Sequence, residues 1–453
     1  MLRSYVYAGA AGLFLLAGCS FNLGSTLGLG GSDKPTAQVV GDEPFAVKVG
    51  AATLAQGGSA VDAATAMYFA LSVTYPVAAG LGGGGICIVH DPAHNQSEEF
   101  DFLARDAAQG GAYAVPGNVR GFVLMQSVYG ALPWQKLIAP AEGYARTGFP
   151  ISRALAARLA DAADVVRLDA GLAAEFMDES GQLKSTGSIA LNAELADTLA
   201  AIRTQGSDAF YAGTVGDKIV AYSTSQGGAI GQAELAAYRA ERTTPRVLQM
   251  GSDYVFLPAA HTGAGAFAGA LLDNLTRAQA TPTGSQDSEA TVIVAVKQTL
   301  NDFHLESLPK DLGATGFAAT DATGQAVACA VTMNGPFGSG HTARGTGVTL
   351  ARAPSSGAVG LASAFLTPVI ASPSGDRPAT LAGAGAGGPN GSAAIAYALT
   401  RIAHGEEILT RSQLHSTGVA PYDTVNAIVC TSSICAALSD PGASGLGAAV
   451  SAQ

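Results

Sequence analysis

The sequence predicts an α+β fold built in layers. Helical apolar spacing dominates up to about residue 240, and strand-like runs take over from Asp253. Short turns join those strands as antiparallel neighbours, which favours segregated layers over a doubly wound sheet. Composition agrees: of 453 residues, 48% are hydrophobic, 13% are charged and 58 are glycines. That is enough apolar material for a large core of Ala/Gly-rich layers, and it is unlike the composition of disordered chains. The formal net charge is −11, with no Lys/Arg run. This excludes nucleic acid as a partner, since phosphate contacts need clustered basic residues.

Residues 1–19 read as an export signal. Arg3 supplies the positive n-region, Ala8 to Leu16 the short apolar stretch, and Leu16-Ala17-Gly18-Cys19 a bacterial lipoprotein cleavage box. Cys19 is the expected lipidation site, against the alternatives of an ordinary secretory signal or a short membrane helix. An acyl chain contributes about 0.8 kcal/mol per buried CH₂, so the expected contact with an envelope membrane is the lipid anchor alone, with the protein facing the periplasm. Residues 20–39 are Gly/Ser-rich and read as a flexible tether. The remainder divides into 40–313 and 314–453.

Gly57-Gly58-Ser59-Ala60-Val61-Asp62 opens a helix, with Ser59 as N-cap and Asp62 reaching back as in a capping box. Apolar residues from Ala60 to Leu71 cover most faces of that helix, which predicts burial between layers. Gly80, Gly82 and Gly85 match the G-x-G-x-x-G spacing. The dinucleotide motif, however, runs from strand to helix, and here a helix precedes and the strand Ile86 to His90 follows. The glycines therefore predict close backbone packing or amides placed in a pocket wall, and no nucleotide. Val115 to Gly121 is a turn into a helix ending at Tyr129. Leu132-Pro133-Trp134 begins another that runs to Arg146, and residues 152 to 240 read as mostly helical.

Strands are expected at Asp253 to Leu257, with a helix at Glu289 to Asn301. A hairpin follows, with arms 315–320 and 325–332 around a type I turn at Asp321-Ala-Thr-Gly324. Strands are then expected at Gly345 to Leu350, Ala364 to Ile370 and Thr380 to Gly383, a helix at Ser392 to His404, and a strand pair around Cys430 to Leu438. Cys87 and Cys329 read as small core residues. Cys430 and Cys435 flank a turn-like tetrapeptide and are either bridged or two free thiols. The seven histidines lack metal-ligand spacing, and no zinc site or other cofactor is expected.

These landmarks, in order, are Gly-Gly-Ser-Ala-Val-Asp-Ala-Ala (57–64), Gly-Leu-Gly-Gly-Gly-Gly (80–85), Val-Pro-Gly-Asn-Val-Arg-Gly (115–121), Tyr-Gly-Ala-Leu-Pro-Trp (129–134), Asp-Ala-Phe-Tyr-Ala-Gly (208–213) and Phe-Gly-Ser-Gly (337–340). Together they resemble the gamma-glutamyltransferase (gamma-glutamyl transpeptidase) family. The resemblance implies the four-layer αββα sandwich of the N-terminal-nucleophile hydrolases. It also implies a precursor that cuts itself before a threonine, which then attacks gamma-glutamyl amides such as glutathione.

Such a nucleophile uses its own α-amine as base. Counting back from Asp321, the family's Thr-Thr-His falls on Ala314, Thr315 and Gly316. Alanine has no nucleophilic atom. Thr315 is the remaining candidate nucleophile, although adjacent strand residues face opposite ways. The resemblance places Thr332 and Asn334 near nucleophile and substrate. It makes Gly387 and Gly388 oxyanion donors, with a tight turn as the alternative. The serine pair that grips the substrate carboxylate falls on Ala364 and Phe365, and the amine-binding aspartate near Ser356. Arg105 neighbours the family's carboxylate-binding arginine, whose position aligns with Leu103, with a surface or structural role as the alternative. The segment Phe303 to Gly313 is short and can remain a continuous connection. His341 and Ser339 follow the Phe337-Gly338 loop, with a solvated loop histidine as the plainer reading.

The expectation is therefore an uncleaved, catalytically impaired member of the family with a binding or assembly role. Its partner would be a gamma-glutamyl or amino-acid-like small molecule, and nothing in the sequence names a protein partner. The alternatives are an active gamma-glutamyl hydrolase or transferase using Thr315, and an amidase of altered acyl specificity.

Overall fold

Two antiparallel sheets lie face to face, each covered by helices. The computed structural model describes residues 37–279, 288–304, 308–414, 423–431 and 434–450. Cys19, the rest of the export signal and His415 lie outside these residues.

The strands, in chain order, are β1 (Ala37–Gly41), β2 (Gly84–Asp91), β3 (Gln96–Phe102), β4 (Glu241–Thr243), β5 (Arg246–Met250), β6 (Asp253–Leu257), β7 (Ala314–Thr320), β8 (Ala326–Thr332), β9 (Thr367–Ser372), β10 (Leu381–Ala386), β11 (Thr424–Cys430), β12 (Cys435–Leu438) and β13 (Leu446–Val450). The first sheet has the order β13-β1-β7-β8-β2-β3-β4, the second β12-β11-β10-β9-β6-β5. On the outer face of the first sheet pack α1 (Pro44–Ala55) and α2 (Ala60–Thr74), with α3 (Asn118–Tyr129) and α4 (Trp134–Thr147) beside them. Further along comes α5 (Arg153–Asp161). The second sheet is covered by α6 (Ala266–Gln279), α7 (Ser288–Asp302) and α8 (Pro389–Ala403). This is an αββα sandwich.

The α2 helix forms as its sequence dictates. The Ser59 hydroxyl accepts from the Asp62 N–H, and the Asp62 carboxylate accepts from the Ser59 N–H, both at 3.1 Å. The same Asp62 oxygen accepts the N–H groups of Ala131 and Leu132 at 2.7 and 2.9 Å. Every residue of α2 is buried. The glycine run ahead of β2 is a backbone-packing site. A Cβ on Gly82 would lie 2.1 Å from the Thr349 carbonyl oxygen, and one on Gly84 1.9 Å from the Ala104 nitrogen.

Small side chains bring the sheets together. Ala318, Ala326, Ala328 and Ala382 meet Val40, Ile88, Ile370 and Ile428 between them. A second interlayer cluster contains Ile86, Ala264, Ala314, Ala330, Leu366, Ala384 and Ala386. The hairpin of β7 and β8 turns at Asp321–Gly324, where the Gly324 N–H donates to the Asp321 carbonyl at 3.1 Å.

Several expectations need correction. Cys87 and Cys329 are buried, but they are bridged by a disulfide. The register of β2 and β8 sets them directly opposite each other. Cys430 and Cys435 are also bridged, across β11 and β12. The stretch expected as a strand from Ala364 begins within a 3-10 helix, Gly357–Phe365, and the strand starts at Thr367. Around Gly345 to Leu350 only Val348–Thr349 is extended, because Gly345 and Gly347 take positive φ (70° and 64°) and turn the chain. The strand β1 begins inside the stretch read as tether. Its Ala37-Gln-Val-Val-Gly run is apolar enough to pair with β7 and β13.

Candidate active site

The first residue of β7 is Ala314, paired with Thr332 of β8. It is 1% exposed and faces the second sheet in the cluster of Ile86, Ala330, Ala384 and Ala386, with Leu103 packed against that cluster. Thr315 points the other way, as strand alternation requires. Its hydroxyl donates to Asp42 at 2.6 Å, and the Thr424 hydroxyl donates to the same oxygen at 2.9 Å. The other Asp42 oxygen accepts from Asn426 at 2.8 Å, and that amide also donates to the Gly316 carbonyl at 2.9 Å. Asp42, just beyond β1, thus ties β7 to β11. At Gly316 a Cβ would lie 2.7 Å from the Ala384 Cβ.

The chain ahead of Ala314 is held residue by residue. The Gly313 carbonyl accepts from the Thr332 hydroxyl at 3.0 Å and from the Met333 N–H at 2.8 Å. The Leu312 carbonyl accepts from the Gly335 N–H at 2.9 Å. Gly313 sits at φ 63° so close to Gly335 that a Cβ would lie 1.9 Å from its carbonyl oxygen. Asp311 forms a two-pronged pair with Arg158 of α5, from Nε to Oδ2 at 2.9 Å and from Nη2 to Oδ1. Arg158 Nη1 also donates to the Ala314 carbonyl at 3.1 Å. Its guanidinium lies over the Tyr75 ring, 5.3 Å from the centroid. Arg158 is 2% exposed. Burial acts to lower its pKa, but Asp311 and Tyr75 outweigh this and hold it above the usual arginine value.

Thr332 is therefore at the site, engaged with the connection. Asn334 follows it. Its N–H donates to the Thr332 hydroxyl at 2.9 Å and its side-chain amide to the Arg352 carbonyl at 2.9 Å. The Asn334 Oδ1 is buried and has no hydrogen-bond partner among the described residues. Gly387 (φ 94°) and Gly388 form the turn from β10 into α8. Beside Gly388 lies Asp423, whose Oδ2 accepts from the Asn390 N–H at 3.0 Å. Burial raises the Asp423 carboxyl to about 7, against the Asn390 bonds.

Arg105 is turned elsewhere. It pairs with Glu241 at 2.7 Å and stacks over Tyr238, and both partners of the pair are largely exposed. Phe365 packs against Phe267 in the core beneath α8. His341 is exposed and sits 2.9 Å from the Tyr113 hydroxyl, while the Ser339 hydroxyl donates to the Leu350 carbonyl at 2.8 Å. Ser339 and His341 thus form no nucleophile–base pair through their side chains. No group of three or more His, Cys, Asp or Glu among the described residues is placed to hold a metal.

Sequence reasoning missed Arg158, Asp311, Asp42 and Asp423. One signal existed: Arg158 shares its helix face with Ala154, Leu155 and Leu159, and an arginine on an apolar face needs a buried partner.

Known proteins supply the wider context. A curated glutathione hydrolase proenzyme of Escherichia coli K12 is 36% identical over 221 residues, 44% of this chain and 38% of its own length. Acylase ACY 1 proenzyme of Pseudomonas sp. SE83 is 32% identical over 233 residues, 46% of this chain and 42% of that protein. The matched stretch thus spans about two-fifths of these relatives' length. The crystal structure of cephalosporin acylase from Bacillus halodurans shares the fold, with TM-score 0.74 at 18% identity, over 93% of this chain and 97% of that one. The sandwich is that of the N-terminal-nucleophile hydrolases. The family model described as gamma-glutamyltranspeptidase matches residues 46–302, more than half of the chain, and the chain belongs to that family.

Proposed function

We propose that this family member is an envelope lipoprotein that is not self-cleaved and is catalytically impaired, serving as a binding or assembly module. The observation that carries the reading is Ala314, the first residue of β7, the position that counting back from Asp321 assigns to the family's nucleophile. Without an oxygen there, neither the acyl shift that cuts the precursor nor the covalent glutamyl intermediate can form. The hydrogen bonds that hold Leu312 and Gly313 support a continuous chain. The Thr315 hydroxyl is committed to Asp42, which weighs against its use as nucleophile. Anchoring through Cys19 and a periplasm-facing position rest on the Leu16-Ala17-Gly18-Cys19 box.

The ligand class is a gamma-glutamyl or amino-acid-like small molecule. Relatives named glutathione hydrolase support it. So does the Asn334 Oδ1, a buried acceptor without a partner among the described residues, which suits an ammonium group. A second reading, an amidase of altered acyl specificity, is favoured by the relative named acylase together with Leu103 at the carboxylate-binding position.

The test is the intact mass of the mature protein under reducing conditions. Reduction is essential, because the Cys87–Cys329 bridge crosses the 313/314 boundary and would hold two fragments together. A single chain with no turnover of a gamma-glutamyl anilide is expected. A small fragment starting at Ala314 or Thr315, or measurable turnover, would overturn the reading.

A further inference from the structure

We propose that Arg158 is a carboxylate-binding site that the chain fills from within, through Asp311, and that a small carboxylate takes the same place when the Asp311 side chain is absent. The inference rests on the uncleaved reading above, because Asp311 lies on the connection that enters Ala314.

The receptor half is buried. Arg158 projects from the buried face of α5, between Leu155 and Leu159, with its guanidinium over Tyr75. Its fork meets both Asp311 oxygens, and its third nitrogen holds the Ala314 carbonyl. A planar guanidinium with two parallel N–H groups aimed at one side is the geometry that selects carboxylates.

The occupying half comes from outside regular structure. Residues 308–313 form an irregular connection ahead of β7, and two successive side chains dock it on α5, Lys310 on Asp161 at 2.5 Å and Asp311 on Arg158. Asp311 Oδ1 also accepts the Gly313 N–H at 2.7 Å, so the side chain that fills the fork shapes the last residue before Ala314. The carboxylate lies beside the position of the absent nucleophile, whereas Arg105, the arginine nearest the family's grip in sequence, is spent on Glu241. A site of this kind takes a compact carboxylate such as acetate or the carboxylate of an amino acid.

The test removes the internal ligand and supplies an external one. Asp311→Ala and the double variant Arg158→Met/Asp311→Ala are compared with the unaltered protein. Thermal midpoints are read in sodium acetate and in sodium chloride at equal pH and ionic strength. Asp311→Ala is expected to lose stability in chloride and regain it saturably in acetate. At ten times its dissociation constant, acetate raises the folding equilibrium constant about tenfold. The unaltered protein and the double variant, lacking the vacancy or the receptor, are expected to show no acetate-specific gain. An acetate response in Asp311→Ala no larger than in those two overturns the proposal. Should Asp311→Ala fail to fold in chloride, refolding yield from urea in the two salts replaces the midpoint, and no gain in acetate is equally fatal. The mass of the unaltered protein judges cleavage separately, so the two readings fail by different measurements.

Discussion

The resemblance places the family's histidine at Gly316, and the structure sets the size of the penalty for a side chain there. A Cβ at Gly316 would lie 2.7 Å from the Ala384 Cβ and 3.0 Å from the Ala384 carbonyl oxygen. Carbon atoms pack best at about 3.5–4.0 Å, so β7 and β10 must part by roughly 1 Å. They resist, because Asn426 binds the Gly316 carbonyl and Asp42 together. Overpacking of this kind costs about 1–3 kcal/mol, and replacing a strand glycine returns about 0.5–1 kcal/mol of backbone entropy. Gly316→Ala is therefore expected to destabilise by about 1–2 kcal/mol, and Gly316→His by more. Urea denaturation measures both. Ala384→Gly in the Gly316→Ala background should recover part of the loss but not all, since the carbonyl at 3.0 Å remains. A neutral Gly316→Ala, or strict additivity in the double-mutant cycle, would refute the close-packing argument. The consequence for function is that Ala314→Thr/Gly316→His should fold poorly before it could cleave.

Three further outcomes are expected. Asp62→Ala should cost about 2–3 kcal/mol in the same assay, because it removes the acceptor of the buried Ser59 N–H and of the less buried Ala131 and Leu132 N–H groups. Glu175 is buried and raised from 4.5 to about 8, chiefly by desolvation, against its bond from Asn192. It holds its proton more tightly folded than unfolded, so stability should fall as pH rises from about 4.5 to about 8. Glu175→Gln should remove up to about 1.4 kcal/mol per pH unit of that slope, seen as a flatter profile of denaturation midpoint against pH. Alkylation of the denatured, non-reduced protein should leave Cys87, Cys329, Cys430 and Cys435 unlabelled. Cys87→Ala/Cys329→Ala should lose about 2–4 kcal/mol on denaturation.

Much of the fold was legible because it is written in short-range patterns. The α2 helix announces itself through Ser59, Asp62 and its apolar run, and the β7–β8 hairpin through Asp321 and Gly324 between two largely apolar arms. The strands β1, β4 and β13 were not read, since they are short and their pairing is decided by partners far along the chain. Most of the glycine-turned connection 344–347 was read as part of a strand, and only the positive φ angles of Gly345 and Gly347 separate it from one.

At the site the same division holds. The residue at 314 is alanine whatever the fold does, so the proposal that the nucleophile is absent rests on the sequence alone. That Thr315 faces away from Ala314 follows from strand alternation once the hairpin is placed. The sequence could not show that Cys329 meets Cys87 across a separation of 242 residues, or that Arg158 meets Asp311 across 153. Nor could it show that Gly316 lies too close to Ala384 to bear a side chain. Helices, caps and turns are decided by neighbours within about four residues, which any single stretch displays. Disulfides, buried ion pairs and interlayer distances depend on strand register and on how closely two sheets approach, and those quantities exist only after the chain has folded.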